Sequence, residues 1–246
     1  MITLKLTRNE VYSWRHKNDI YVKGYLFTPD GILHKDADLC NYFENTTTEY
    51  AFQQKLLSAN GTFSVIIKQP DQSLWMAVDR YRYFPLFYRK KGVDLIVSDE
   101  IADLYEPDES KTIDESALLS FRGLGYVAGN KTLLKDAFQI QSGEYIVYDD
   151  NRITPTFYHQ HFSEIVDISF DEAKIQLKEI LQNVGQRMSK LLNGRPALLP
   201  LSGGYDSRLI ACLLNKEGVK NVLCFTYGKK AENPEWKRSQ TVAEKL

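Results

Sequence analysis

Cysteine, histidine and long apolar runs are all scarce in this chain. Of its 246 residues three are cysteine, Cys40, Cys212 and Cys224, far apart and in apolar company. That spacing supplies neither a metal-ligand motif nor a disulfide framework, so buried thiols in a reducing compartment are expected. The four histidines, His16, His34, His159 and His161, do not gather with acids or cysteines. As alternate residues after an aromatic strand, His159 and His161 would share one strand face. Without a third ligand nearby they read as a surface pair. No segment approaches the roughly 18 apolar residues that cross a bilayer as a helix. The opening Met-Ile-Thr-Leu-Lys-Leu-Thr-Arg lacks the basic-then-apolar pattern of a signal peptide, so a cytoplasmic location is expected. Neither sign of charge prevails: 31 Lys and Arg stand against 32 Asp and Glu, net −1. No nucleic-acid or membrane partner is therefore expected.

What is present is a 43% hydrophobic fraction, enough for a packed core, in a length suited to one large domain or two ordinary ones. Residues 1 to about 160 carry mostly strand signals. Tyr21–Phe27 is rich in strand formers. Thr62–Lys68 and Ser73–Asp79 flank the turn Gln69-Pro70-Asp71-Gln72, a hairpin signature. Leu86–Arg89 and Val93–Ser98 flank a second turn at Lys90-Lys91-Gly92, and Gly143–Tyr148 ends in Asp149-Asp150-Asn151. Helices are expected over about 49–58 and about 113–122, the latter behind a capping box Thr112-x-x-Glu115. The reading is an α+β layered domain. Tyr81, Tyr83, Phe84, Phe87 and Tyr88, with basic neighbours, have the look of a base-stacking patch, but strand-core packing is the better reading in a chain that is not basic. Gly123-x-Gly125-x-x-Ala128 has the spacing of a dinucleotide fingerprint, yet it follows a helical pattern and opens no helix.

The periodicity changes near 160–168, dividing the chain into domains 1–162 and 163–246. Ser169-x-x-Glu172 is a capping box, and Ala173, Leu177, Ile180, Val184, Met188 and Leu191 follow at helical spacing until Gly194. Strand 197–201, helix 206–217 with Gly218 behind it, strand 221–226 and a helix from Pro234 complete the pattern. Asn233 suits the N-cap of that last helix. Alternating strands and helices mean a parallel sheet with crossover helices. Two strands cannot make a complete sheet of this kind. The expectation is a truncated α/β domain, continued beyond Leu246 or completed by a homo-oligomer or companion chain.

The most specific stretch is Leu201-Ser202-Gly203-Gly204-Tyr205-Asp206-Ser207, between an apolar strand and a helix. Two glycines let backbone approach a ligand closely. Turn N–H groups and the helix N-terminus form an anion-binding concavity, to which Ser202 and Ser207 add hydroxyls. Asp206 suits a phosphate only through a divalent cation, the way magnesium joins carboxylates to nucleotides. The Walker pattern Gly-x-x-x-x-Gly-Lys-Ser/Thr is absent.

Ser-Gly-Gly-x-Asp-Ser after an apolar strand resembles the PP-loop of ATP pyrophosphatases, and the wider chain resembles the asparagine synthetase family, including β-lactam synthetases. Asn60-Gly61-Thr62-Phe63-Ser64-Val65 is similar to that family's Asn-Gly-Met-Phe-Ala-Phe stretch. Asp79-Arg80, with Pro85-Leu86-Phe87-Tyr88, resembles its Asp-Arg-x-Gly-x-x-Pro-Leu-Tyr-Tyr. Gly125-Tyr126-Val127-Ala128-Gly129 with Thr132-Leu133, and Gln141-Ser142-Gly143-Glu144-Tyr145, match further stretches in the same order. The resemblance implies an Ntn-hydrolase-like N-terminal domain of the class II glutamine amidotransferase kind and a PP-loop ATP-binding domain. It implies an ATP-dependent ligase that adenylates a small-molecule carboxylate, releases pyrophosphate and forms an amide. Ser202, Gly203, Gly204 and Ser207 would hold the pyrophosphate, Asp206 the Mg2+, and backbone at Leu201 and Phe225 the adenine. Glutamine-hydrolysing members carry cysteine after the initiator methionine, where this chain has Ile2 and then Thr3. The first domain is therefore expected to be a degenerate scaffold, with Asn60 and Gly61, at the place of the family's oxyanion hole, making a turn. A non-catalytic nucleotide-binding or assembly module is the alternative.

Overall fold

A computed structural model describes residues 1–7, 12–227 and 234–245. Asn233 and Leu246 lie outside the described residues. The chain divides into two compact units, Met1–Phe162 and Ser163–Leu246. The first contains β1 (Ile2–Lys5), β2 (Arg15–Lys17), β3 (Ile20–Phe27), β4 (Leu33–Lys35), α1 (Ala37–Phe43), α2 (Glu49–Ser58), β5 (Asn60–Lys68), β6 (Leu74–Val78), β7 (Phe87–Lys91) and β8 (Asp94–Ser98). A 3-10 turn at Ile101–Leu104, α3 (Glu115–Leu124), β9 (Ala137–Gln139), β10 (Glu144–Asp149) and β11 (Arg152–Phe157) complete it. The second holds α4 (Phe170–Leu192), β12 (Ala197–Pro200), α5 (Tyr205–Lys216), β13 (Val222–Phe225) and α6 (Pro234–Ala243).

The first unit is mixed α/β, built in layers. One sheet runs β11-β10-β6-β5-β3-β2, with β4 also paired to β3, and a second runs β1-β8-β7-β9. The central strands read as nearly unbroken apolar runs because both of their faces are covered, and the two-residue period sorts the side chains. From β5, Phe63, Val65 and Ile67 enter a core shared with Leu39 and Phe43 of α1 and Phe52 and Leu56 of α2. Ile66 enters the opposite core, between the sheets, with Met76, Leu86, Leu95 and Val97. Each such fully buried side chain contributes about 1.5–3 kcal/mol relative to exposure.

The hairpins follow their turn chemistry. Asp71 accepts from the backbone N–H of Ser73 (2.9 Å) in the β5–β6 turn. Asp150 and Asn151, at φ 44° and 60°, make the two-residue β10–β11 connection, the geometry that matches the twist of the strands it joins. Pro155, which lacks a donor, sits in the edge strand β11.

Several expectations need correction. The cap of α3 is Asp114, whose carboxylate accepts from Ala117 N–H at 2.9 Å. Thr112 lies two residues too early and uses its carbonyl to receive Lys135 N–H. Asn60 and Gly61 do not form a turn; they open β5, opposite Phe27 and Leu26. A Cβ on Gly61 would lie 2.3 Å from the Tyr25 carbonyl oxygen, so close strand pairing is what requires glycine there. Tyr81 and Tyr83 are exposed, unlike Phe84 and Tyr88. Cys212 is exposed and Cys224 half-buried; Cys40 alone is a buried thiol. His159 and His161 follow β11 in irregular chain, ring centroids 4.6 Å apart and edge-on. Gly123 lies within α3 and Gly125, at φ 80°, caps it.

In the second unit β12 and β13 pair in parallel. Ser169 and Glu172 cap α4 reciprocally, the hydroxyl accepting from Glu172 N–H and the carboxylate from Ser169 N–H. On the apolar stripe of α4, Leu177, Ile180 and Val184 are exposed; Gly185 is the buried position, against Leu213 and Glu217. No helix among the described residues is long and apolar enough to cross a membrane.

Candidate functional site

The chain leaves β12 through Leu201, which is buried with Leu199 and Ala211, and turns at once into α5. The two serines close the turn. Their hydroxyl oxygens lie 2.9 Å apart, Ser202 N–H donates to Ser207 Oγ (3.0 Å), and Gly204 N–H donates to Ser202 Oγ (3.1 Å). Gly204 is the N-cap of α5 and, having no side chain, caps nothing. The first-turn N–H groups therefore keep their unmet hydrogen-bonding capacity and the positive end of the helix dipole.

Arg208, one turn on, faces back. Its Nε donates to the Gly204 carbonyl (3.0 Å) and a terminal nitrogen to the Gly203 carbonyl (2.8 Å), while its guanidinium lies 4.7 Å from the Tyr205 ring centroid. Both glycine carbonyls are thus held on the Arg208 side. A Cβ on Gly203 would come within 3.2 Å of Arg238 Cδ and 3.3 Å of Glu235 Cγ, so glycine lets α6 stand against the loop.

Asp206 projects from the exposed first turn of α5. No group of three or more His, Cys, Asp or Glu suited to a metal occurs among the described residues. One exposed carboxylate fits magnesium that takes its remaining ligands from phosphate and water, the usual arrangement for that ion at nucleotides. Leu201 and Phe225 line one cavity of about 360 Å³ at the carboxyl ends of β12 and β13, with Thr226, Trp236 and Gln240. Arg208, Trp236 and Gln240 were not singled out from sequence. Arg208 acts on backbone carbonyls and has no motif; α6 reaches the cavity only through the fold.

In the first unit, Met1 and Ile2 share a surface groove with Lys68 and Gln69, at the far end of β5 from Asn60. A nine-residue strand separates those ends by about 26 Å. Asn60 and Gly61 thus do not face the start of β1. The one cysteine of this unit, Cys40, is fully buried, and burial pushes its thiol pKa up, away from the thiolate a nucleophile needs.

Residues 45–159 match the glutamine amidotransferase domain family. The chain is 26% identical over 137 residues to the microcin J25-processing protein McjC of Escherichia coli, covering 55% of this chain and 25% of that protein. It therefore spans about a quarter of the length of this curated relative. Two solved structures align at 11% identity: a glutamine phosphoribosylpyrophosphate amidotransferase from B. subtilis complexed with ADP and GMP, and an allosteric regulatory enzyme of purine biosynthesis. The first covers 60% of this chain and 31% of its own at a TM-score of 0.34, the second 94% and 50% at 0.35. Superpositions that loose carry no argument about this chain. Similarity to the glutamine amidotransferase domain thus lies within the first unit, while the serine–glycine loop lies in the second.

Proposed function

We propose that the second unit binds ATP with Mg2+ and serves an amide-forming ligase of the asparagine synthetase type, one that adenylates a small-molecule carboxylate and releases pyrophosphate. The observation that carries this reading is the uncapped N-terminus of α5, behind a loop whose glycine carbonyls are turned onto Arg208. The first-turn N–H groups of α5 then remain as donors for a polyphosphate. Ser202, Gly203, Gly204 and Ser207 hold pyrophosphate oxygens, Asp206 holds the metal, and Leu201 and Phe225 frame the base. Fixed donors aimed at developing charge are what phosphoryl and nucleotidyl transfer chiefly need. The first unit serves as scaffold and does not hydrolyse glutamine: β1 contains no thiol, and Cys40 is sealed in the core. The ligase activity, its carboxylate and any homo-oligomer or companion chain belong to this proposal, as does a cytoplasmic setting.

The test is calorimetric titration of the 246-residue chain with Mg-ATP, wild type against Asp206→Asn. Loss of a charge-assisted contact is expected to weaken binding about tenfold or more, with an unchanged melting temperature. Equal affinities would remove Asp206 from the site, and no binding by wild type would remove the phosphate reading. Labelled glutamine incubated with the same preparation is expected to release no ammonia; turnover would overturn the scaffold assignment.

A further inference from the structure

We propose that Trp236 and Gln240 of α6 recognise the base of the bound nucleotide and select adenine. The inference rests on the phosphate-binding reading of residues 202–207. Positions 236, 240 and 243 recur at i, i+4 and i+7, one face of a helix, and all three line the cavity of about 360 Å³ with Leu201, Phe225 and Thr226. This cavity lies at the carboxyl ends of two parallel strands, where open α/β sheets receive ligands. It adjoins the loop, because Glu235 and Arg238 of the same helix stand over Gly203. A nucleotide with its phosphates on the loop therefore has its base within reach of α6.

The two side chains divide the task. Trp236 supplies an aromatic face, and stacking on such a face gives affinity without choosing among bases. Ser239 donates its hydroxyl proton to the Trp236 carbonyl at 2.8 Å, so that proton is already engaged. The amide of Gln240 has no hydrogen-bond partner among the described residues. A primary amide presents one acceptor beside its donors, the complement of adenine N6–H and N7. Guanine offers O6 and N7 on that edge, both acceptors, and would set its O6 against the amide oxygen.

The experiment uses the full 246-residue chain and three probes: adenosine, Mg-pyrophosphate, and Mg-ATP against Mg-GTP. Adenosine is expected to quench a fluorescence component that Trp236→Phe removes, leaving Trp14 and Trp75 as the constant background. Trp236→Leu should weaken Mg-ATP about tenfold. Gln240→Ala should lower the preference for ATP over GTP about tenfold, chiefly through weaker ATP binding. Neither substitution should alter Mg-pyrophosphate affinity or the melting temperature. Wild-type chain that binds ATP and GTP alike, or variants that bind both as wild type does, would overturn the assignment while pyrophosphate binding preserved the loop reading. Adenosine quenching without any pyrophosphate binding would sink the loop reading and leave the base pocket standing. Failure of every probe would sink both.

Discussion

Arg208 shows how much of a binding loop depends on one residue that need not touch the ligand. Its two donors hold the carbonyls of Gly203 and Gly204; otherwise those oxygens are free to rotate towards an incoming anion. Arg208→Ala is expected to lower Mg-pyrophosphate affinity about tenfold, the scale of one charged hydrogen bond's influence. Arg208→Lys should recover part of it, because an ammonium lacks the planar fork that spans two acceptors. Calorimetry on the three proteins checks this, and identical affinities would show that the loop holds its shape without the arginine. Sequence could flag Asp206 and Ser207 as phosphate-loop residues by type and spacing, whereas Arg208 acts on main-chain oxygens that carry no residue-specific signature.

Between elements, the first unit is tied by a charged clamp that no local pattern announces. Arg89 on β7, buried, donates to both oxygens of Glu109 at 2.8 Å and through Nε to Asp136 at 2.8 Å, and its guanidinium lies 4.1 Å from the Tyr105 ring centroid. One side chain thus joins β7 to the chain after the 3-10 turn and to the approach to β9. Arg89 and then Lys91 hydrogen-bond Glu109 and draw its pKa from 4.5 to about 2. A carboxylate lowered on folding stabilises the native state above its unfolded pKa, and that contribution is lost as pH falls through the folded value. Arg89→Met, which takes the cation from Asp136 and leaves Glu109 with Lys91 alone, is expected to lower stability at pH 7 in urea denaturation. The difference from wild type should narrow between pH 4.5 and about 2. A pH-independent difference would mean that packing rather than charge holds this corner.

At the scale of the molecule the two units differ in how completely their sheets are covered. The seven-stranded sheet has a core on each face. In the second unit Leu199 and Leu201 are buried, while Leu198 and Leu223 on the other face are 66% and 65% exposed. Local opening is governed by such differences in buried contact, and open strands template pairing with other chains. Amides of β12 and β13 are therefore expected to exchange much faster than those of β5 and β6 in hydrogen-exchange mass spectrometry of the 246-residue monomer. Equal protection would show a second unit more stable than its exposed leucines indicate.

Local chemistry determined what was legible from the residues alone. Turn residues placed the β5–β6 and β10–β11 hairpins, the Ser169–Glu172 pair placed the start of α4, and alternating periodicities announced parallel pairing of β12 with β13. Each signal lies within a few residues of the feature it specifies. Tertiary structure decided the rest. β1 became a strand through parallel pairing with β8, more than ninety positions away. The seven-residue α1 is too short to persist alone and exists because Leu39, Cys40 and Phe43 are buried. Asp114 displaced Thr112 as the cap of α3 once Thr112 had joined its carbonyl to Lys135. Trp236 and Gln240 met Leu201 and Phe225 in one cavity only when α6 packed beside the sheet. Contacts between residues far apart in sequence depend on which surfaces the fold brings together, and no periodicity of two or 3.6 residues encodes that choice.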